Sequence, residues 1–380
     1  MILTIIVFIL ILGLLIFVHE FGHFIMAKRA GIRVEELGFG FPPKIFGIKK
    51  GETLYSLNLF PIGGFVRIYG EMGPASEQAR RRASRPTKGK KQTRSEDKKR
   101  AFYNKPIKTR TKIIVAGVTM NLFLAAFLLG LGHWLGLPTI VEDDEIDNLG
   151  KTKVQVTQVA FNSPATQADI KIGDTIKQLT INNKQLTINR VKEVQDFVEA
   201  HKGEEIVLII QRGDEVLEKA LVPRVSPPEE EGPLGIGLAR TAIVSYPWYR
   251  ALLMGITSAV SLTWTMVTIL GSLLWQLLVT GQLAVEIAGP VGIFSLTGQA
   301  AQLGFIYILQ LTALLSINLA IINVLPFPAL DGGRLLFLAI EKIKGSPVSQ
   351  KVERIAHTTG FVILILLMIA ITWRDVGRFF

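Results

Sequence analysis

A His-Glu-x-x-His motif, His19-Glu20-Phe21-Gly22-His23, lies inside an uncharged run that extends from Ile2 to Val18 and resumes through Phe24-Ile25-Met26-Ala27 up to Lys28-Arg29. A stretch of this length and apolarity forms a helix that crosses lipid, so both histidines sit within the span. Four residues apart, they share one helical face one turn from each other, which is the geometry a tetrahedral zinc ion asks of two imidazoles. Glu20 points off that axis and is free to act as a base. Ionisable side chains at membrane depth cost about 3 kcal/mol each on insertion scales, so three together mark a site and not an accident. The competing reading is a signal peptide that happens to end in His-Glu. Against it, the apolar stretch continues past the motif and no small-residue cleavage site follows at the expected place. The basic residues Lys28, Arg29 and Arg33 follow the span, which sets the N-terminus outward and the residues after Arg29 in the cytoplasm.

With 380 residues, 49% of them hydrophobic, and a mean hydropathy of +0.39, the chain is a membrane protein with room for one soluble insert. It has no cysteine, which excludes disulfides and thiolate ligands and leaves His, Asp and Glu to build any zinc site. The net charge of +11 is local: residues 77 to 112 hold 15 Lys/Arg against 3 Asp/Glu. The core of that loop, Arg80-Arg81-Arg82 through Lys90-Lys91, is polar and without apolar periodicity, and is expected to be disordered. No aromatic residue is interleaved before Phe102, so a nucleic-acid partner is not expected, and a cytoplasmic loop held at an anionic lipid surface explains the charge more simply.

The pattern along the chain divides it into nine segments. A first transmembrane helix with the motif (1–32) precedes alternating segments at 33–76, read as a membrane-associated β region whose strands are broken by a Gly63-Gly64 turn. The basic loop (77–110) leads to a second transmembrane helix (111–138). Residues 141 to 232 then hold 18 Asp/Glu against 11 Lys/Arg and mix strand-like runs with a polar amphipathic stretch. They describe a small soluble domain on the outer face (150–225), closed by a linker (226–246). Because the Lys/Arg-rich segment after 341 should be cytoplasmic, an odd number of crossings must separate it from that domain. One full span is therefore assigned within 305–340, and 247–304 is read as an interfacial or re-entrant helix and loop. A last transmembrane helix (355–376) returns the C-terminus outside. The expected fold is an α-helical polytopic membrane protein of about four transmembrane helices, with a membrane-associated β-hairpin or sheet and one extracytoplasmic α/β domain.

Asp331 is the first charge after 44 uncharged residues. In Asn323-Val324-Leu325-Pro326-Phe327-Pro328-Ala329-Leu330-Asp331-Gly332-Gly333, two prolines interrupt the helix and two glycines free the backbone, so Asp331 can turn inward from irregular backbone. An ordinary Asp-Gly turn at a span's end is the alternative; pairing with His19 and His23 favours the ligand. Two imidazoles, one carboxylate and an open fourth position are the pattern of a catalytic zinc, with Glu20 placed to take a proton and pass it to a leaving amine. Asn318 and Asn323 could hydrogen-bond a substrate backbone or an oxyanion, or serve interhelical packing.

These motifs resemble, in order and over nearly the whole chain, those of the site-2 proteases, zinc metalloproteases that cut within membranes, and most closely the bacterial regulator-of-sigma-E protease group. The shared set is His19 to His23, Pro61-Ile62-Gly63-Gly64-Phe65-Val66, Gly289-Pro290-Val291-Gly292 and the segment 323 to 333. The resemblance implies one zinc ion on His19, His23 and Asp331, with Glu20 catalytic. It implies a sheet at 33–72, including Gly63 and Gly64, whose edge pairs with an unwound substrate helix, and substrate roles for Asn318 and Asn323. Asn162-Ser163-Pro164-Ala165 followed by Ile170 to Ile176 resembles a PDZ module, which in the family filters substrates by size and here would take a peptide ligand. The implied partners are single-span membrane proteins, such as trimmed anti-sigma factors or signal-peptide remnants, and the implied location is a bacterial inner membrane. A membrane-anchored zinc peptidase with a cytoplasm-facing site and a non-catalytic PDZ adaptor are the alternatives. The single PDZ-like domain and the long basic loop depart from the best-known members. His133, His201 and His357 match no motif and are read as interface or surface residues.

Overall fold

The computed structural model describes residues 1–71, 99–141, 152–181, 184–228, 231–281 and 289–379. The core of the basic loop therefore lies outside the described residues. The chain forms two compact units, one of residues 1–128, 256–294 and 312–380, the other of residues 129–255 and 295–311.

In the first unit, helix α1 (Ile2–Arg29) carries the motif and is followed by strands β1 (Val34–Lys50) and β2 (Thr53–Ile68). The hairpin turn is at Gly51, whose φ of +66° suits a residue without Cβ. This corrects the expected Gly63-Gly64 turn: both glycines lie within β2. Gly63, at φ +117°, lets β2 bend without ending. Register shifts accompany that bend, so Leu37 pairs with both Val66 and Tyr55, and Phe39 with both Gly64 and Leu57. The segment Gly64–Ile68 thus pairs with the edge of β1 opposite Leu54–Leu57. Buried Ala27, Ile32, Val34, Ile68 and Ile113 fasten the hairpin's base to α1 and to helix α2 (Ile107–Leu135). That helix begins four residues before the expected 111, after a single 3₁₀ turn at Phe102–Asn104.

The second unit holds an antiparallel sheet in the order β3 (Leu137–Ile140), β9 (Ile236–Val244), β4 (Thr152–Val159), β5 (Thr175–Ile181), β7 (Ile206–Arg212), β8 (Glu215–Leu221), with β6 (Lys184–Thr187) on β5. Alternation in β7 sends Ile206, Leu208 and Ile210 into a core shared with Val154, Val156, Ile176 and Leu179. Between the strands lie a short helix α3 (Pro164–Gln167), capped by Ser163, and α4 (Val191–Ala200), which buries Val194 and Val198. The expected linker 226–246 is corrected: β9 within it pairs with β4 and β3, so the domain closes at Val244.

The segment 247–304 opens on a long helix. Helix α5 (Trp248–Thr280) is continuous over 33 residues, without the break that a re-entrant segment needs. Its Ser and Thr hydroxyls bond back into their own helix, as Thr263 does to Ala259 O (2.6 Å) and Ser272 to Ile269 O (2.8 Å). They therefore do not oppose an apolar surround. Helices α6 (Pro290–Leu303), α7 (Phe305–Val324), α8 (Asp331–Lys344) and α9 (Gln350–Phe379) follow. Among the described residues five helices, α1, α2, α5, α7 and α9, are long and apolar enough to cross a membrane, one more than the four expected.

Candidate metal centre

Helix α1 places His19 and His23 one turn apart, and their rings meet at 4.8 Å between centroids. The third group arrives from 312 residues away: His19 Nε2 lies 3.1 Å from Asp331 Oδ2. His23 Nε2 lies 3.2 Å from both that oxygen and His19 Nε2. The three donor atoms form a nearly equilateral triangle. A tetrahedral ion with bonds of about 2.05 Å needs donor separations of about 3.3 Å, so the residues present fit zinc without rearrangement.

Helix α2 forms the wall behind this triangle. A Cβ on Gly22 would sit 2.4 Å from Ala116 O, and one on Gly117 would sit 2.5 Å from His23 Nε2. Only glycine at both positions lets the two backbones approach closely enough to seat the imidazoles. His23 Nδ1 bonds Ile113 O at 2.8 Å, and the side-chain amide of buried Asn121 lies 3.3 Å from His19 Nδ1.

Asp331 opens α8 after an irregular loop, Leu325 to Leu330. Ala329 holds φ +82°, unusual for a residue with Cβ, and donates its N–H to His357 Nδ1 at 2.9 Å. The two glycines after Asp331 act differently from expectation. Neither adopts a left-handed φ; a Cβ on Gly332 would sit 2.1 Å from Leu325 O, and one on Gly333 2.4 Å from Phe327 O. They are needed for close packing of α8 on the loop, not for backbone freedom.

Glu20 Oε2 accepts a hydrogen bond from Val66 N–H at 2.9 Å. It lines a cleft of about 360 Å³ together with His19, His23, Asp331, Val66, Asn323 and Arg334. Arg334 is ion-paired with Glu71. Of the expected substrate residues, Asn323 lies in this cleft, whereas Asn318 is exposed on α7 and does not line it. Gly64 is buried near Glu20, its built Cβ 3.8 Å from Glu20 Cγ, while Gly63 packs under Phe41. Sequence reasoning passed over Asn121, Glu71, Arg334 and His357 as site residues. The one signal was Asn121, a polar residue in an otherwise apolar run. His201 is half-buried at the end of α4, its Nδ1 on Phe197 O at 2.7 Å. His133 is buried with its ring against Tyr246.

The model of peptidase family M50 matches residues 7–367. The chain belongs to that family. It is 33% identical to the zinc metalloprotease RasP of Bacillus licheniformis, with 99% of each chain covered. It is 32% identical to the regulator of sigma-W protease RasP of Bacillus subtilis, again over 99% of each. The protein is therefore a zinc metalloprotease of the site-2 type and a multi-pass membrane protein.

Proposed function

We propose that this chain is an intramembrane endopeptidase in which His19, His23 and Asp331 hold the zinc and Glu20 is the general base. The observation that carries the reading is the triangle of donor atoms, built from two distant helices beside a carboxylate in a cleft. A zinc ion held by His19, His23 and Asp331 would supply Lewis acidity and lower the pKa of a water bound to it to about 7. Glu20 takes the proton and delivers it to the leaving amine, its position held by Val66 N–H. Asn323, in the same cleft, is placed to donate to the scissile carbonyl or to a neighbouring peptide group.

The substrate is a transmembrane segment of a single-span protein. A helix hides its scissile carbonyls in its own hydrogen bonds, whereas a strand exposes them. The segment Phe65 to Ile68 supplies an edge for such a strand, because Val66 points its N–H away from β1 and toward α1. The B. subtilis relative is named a regulator of sigma-W protease, and a role in sigma-factor regulation accords with trimmed anti-sigma factors as one substrate class. The sheet domain, with Ser163 capping α3 and α4 beside it, is read as a PDZ-like module on the extracytoplasmic side of a bacterial cytoplasmic membrane. It would bind the end of a trimmed substrate.

The first test is zinc per chain in detergent-purified wild type beside Asp331→Ala. About one zinc, lost in the variant, is expected. A variant that keeps its zinc would reject Asp331 as ligand and favour a cytoplasm-facing peptidase site.

A further inference from the structure

We infer that Asn121 is a positioning residue for His19, its side-chain oxygen accepting the His19 Nδ1 proton and so presenting Nε2 to the metal. This rests on the proposed set of metal ligands. His19 Nε2 faces Asp331 Oδ2 and His23 Nε2, so it is the nitrogen whose lone pair a metal would take. A neutral imidazole that ligates through Nε2 carries its hydrogen on Nδ1, and that hydrogen needs an acceptor. His23 has one, the carbonyl of Ile113 at 2.8 Å. Among the described residues the hydrogen-bond partner of His19 Nδ1 is the Asn121 amide, at 3.3 Å, and the atom turned toward it is Nδ2, a donor. Meanwhile Asn121 Oδ1 is buried with no hydrogen-bond partner among the described residues.

One change resolves both faults. The oxygen and nitrogen of a side-chain amide are nearly the same size, so a half-turn of the amide costs no volume. It brings Oδ1 to the His19 Nδ1–H and gives the orphaned oxygen a donor. The helix is placed for this task. Ile113, Gly117 and Asn121 are spaced four residues apart on one face of α2 and meet both imidazoles: a carbonyl for one, a gap for the rings, an amide for the other. Ser316 Oγ bonds Asn121 O at 2.8 Å and steadies that turn of α2.

The test measures zinc affinity of the detergent-purified full chain by competition with a zinc-binding dye, for wild type, Asn121→Leu and Asn121→Asp. Thermal unfolding of the zinc-stripped forms is followed alongside. Leucine keeps the volume and removes the acceptor, so affinity should fall roughly 10- to 100-fold with little change in the stripped form. A carboxylate only accepts, so Asn121→Asp should hold zinc at least as tightly as wild type. If Asn121 instead donated to His19, aspartate would lose zinc as leucine does, and that result overturns the inference, as does wild-type affinity in Asn121→Leu. Should Asn121→Leu fail to fold, the aspartate variant decides alone. Wild type without zinc would overturn the metal-centre reading itself; zinc-loaded wild type with an indifferent Asn121→Leu overturns only the role of Asn121.

Discussion

Glu20 Oε2 and the Val66 N–H are joined by a 2.9 Å hydrogen bond, which ties the motif helix to the outer segment of β2. The carboxylate proposed as base and the strand edge proposed to receive substrate are thus held by one contact.

Replacing Glu20 by glutamine keeps an oxygen that can accept from Val66 but removes the ability to take a proton. Cleavage of a single-span model substrate should fall by at least about 10²-fold. Zinc content and the unfolding midpoint should stay at wild-type values. Retained turnover would remove Glu20 from the reaction.

Gly117→Ala should separate helix propensity from site geometry. Alanine favours a helix interior by about 1 kcal/mol over glycine. At Gly117, however, the new methyl would lie 2.5 Å from His23 Nε2 and 2.8 Å from His19 Cε1. Zinc affinity should drop by roughly tenfold or more, because displaced imidazoles no longer match the tetrahedral separations. Gly271→Ala, where a Cβ meets nothing within 4 Å, is the control and should leave zinc binding unchanged. Dye competition on both variants checks this.

His357→Leu removes the acceptor that holds Ala329 N–H two residues before Asp331. The lost bond should cost about 1–2 kcal/mol and loosen the loop, lowering both the unfolding midpoint and zinc affinity. Adding Ala329→Gly should restore part of the loss, since glycine occupies a φ of +82° without strain. No recovery in the double variant would mean that His357 acts through its packing on Phe337 instead.

In the sheet domain, burial works against the charge of Asp169, but hydrogen bonds from Arg212 and Lys171 outweigh it and hold the carboxyl below its usual range. A depressed carboxyl stabilises the fold fully above its unfolded pKa of about 4 and loses that contribution as pH falls through the lower folded value. Asp169→Asn should therefore reduce the drop in the domain's unfolding midpoint between about pH 6 and pH 3. The side chain is 56% exposed, so solvent screening keeps the effect small.

Local periodicity made much of the molecule readable. Two histidines four residues apart share a helical face wherever the helix lies, and uncharged runs identify spans by length alone. The same logic erred where a residue's role depends on its neighbours in space. Residues 226–246 looked like a linker because the Pro/Glu run before β9 is a stronger local signal than a strand that pairs with β4, some 80 residues earlier. Asn318 and Asn323 looked equivalent on one helix, but at five residues apart they fall on different faces, and only Asn323 reaches the cleft.

The sequence by itself determined that His19, Glu20 and His23 sit together in a membrane helix, because their relationship is set by one turn of backbone. It also offered Asp331 as a candidate, through its isolation after 44 uncharged residues. Only the tertiary structure decided that Asp331 Oδ2 lies 3.1 Å from His19 Nε2, that glycines at 22 and 117 let α2 press against the imidazoles, and that Asn121 stands behind one of them. Contacts between helices are set by which side chains are absent as much as by which are present, and a residue's own segment carries no record of what packs against it.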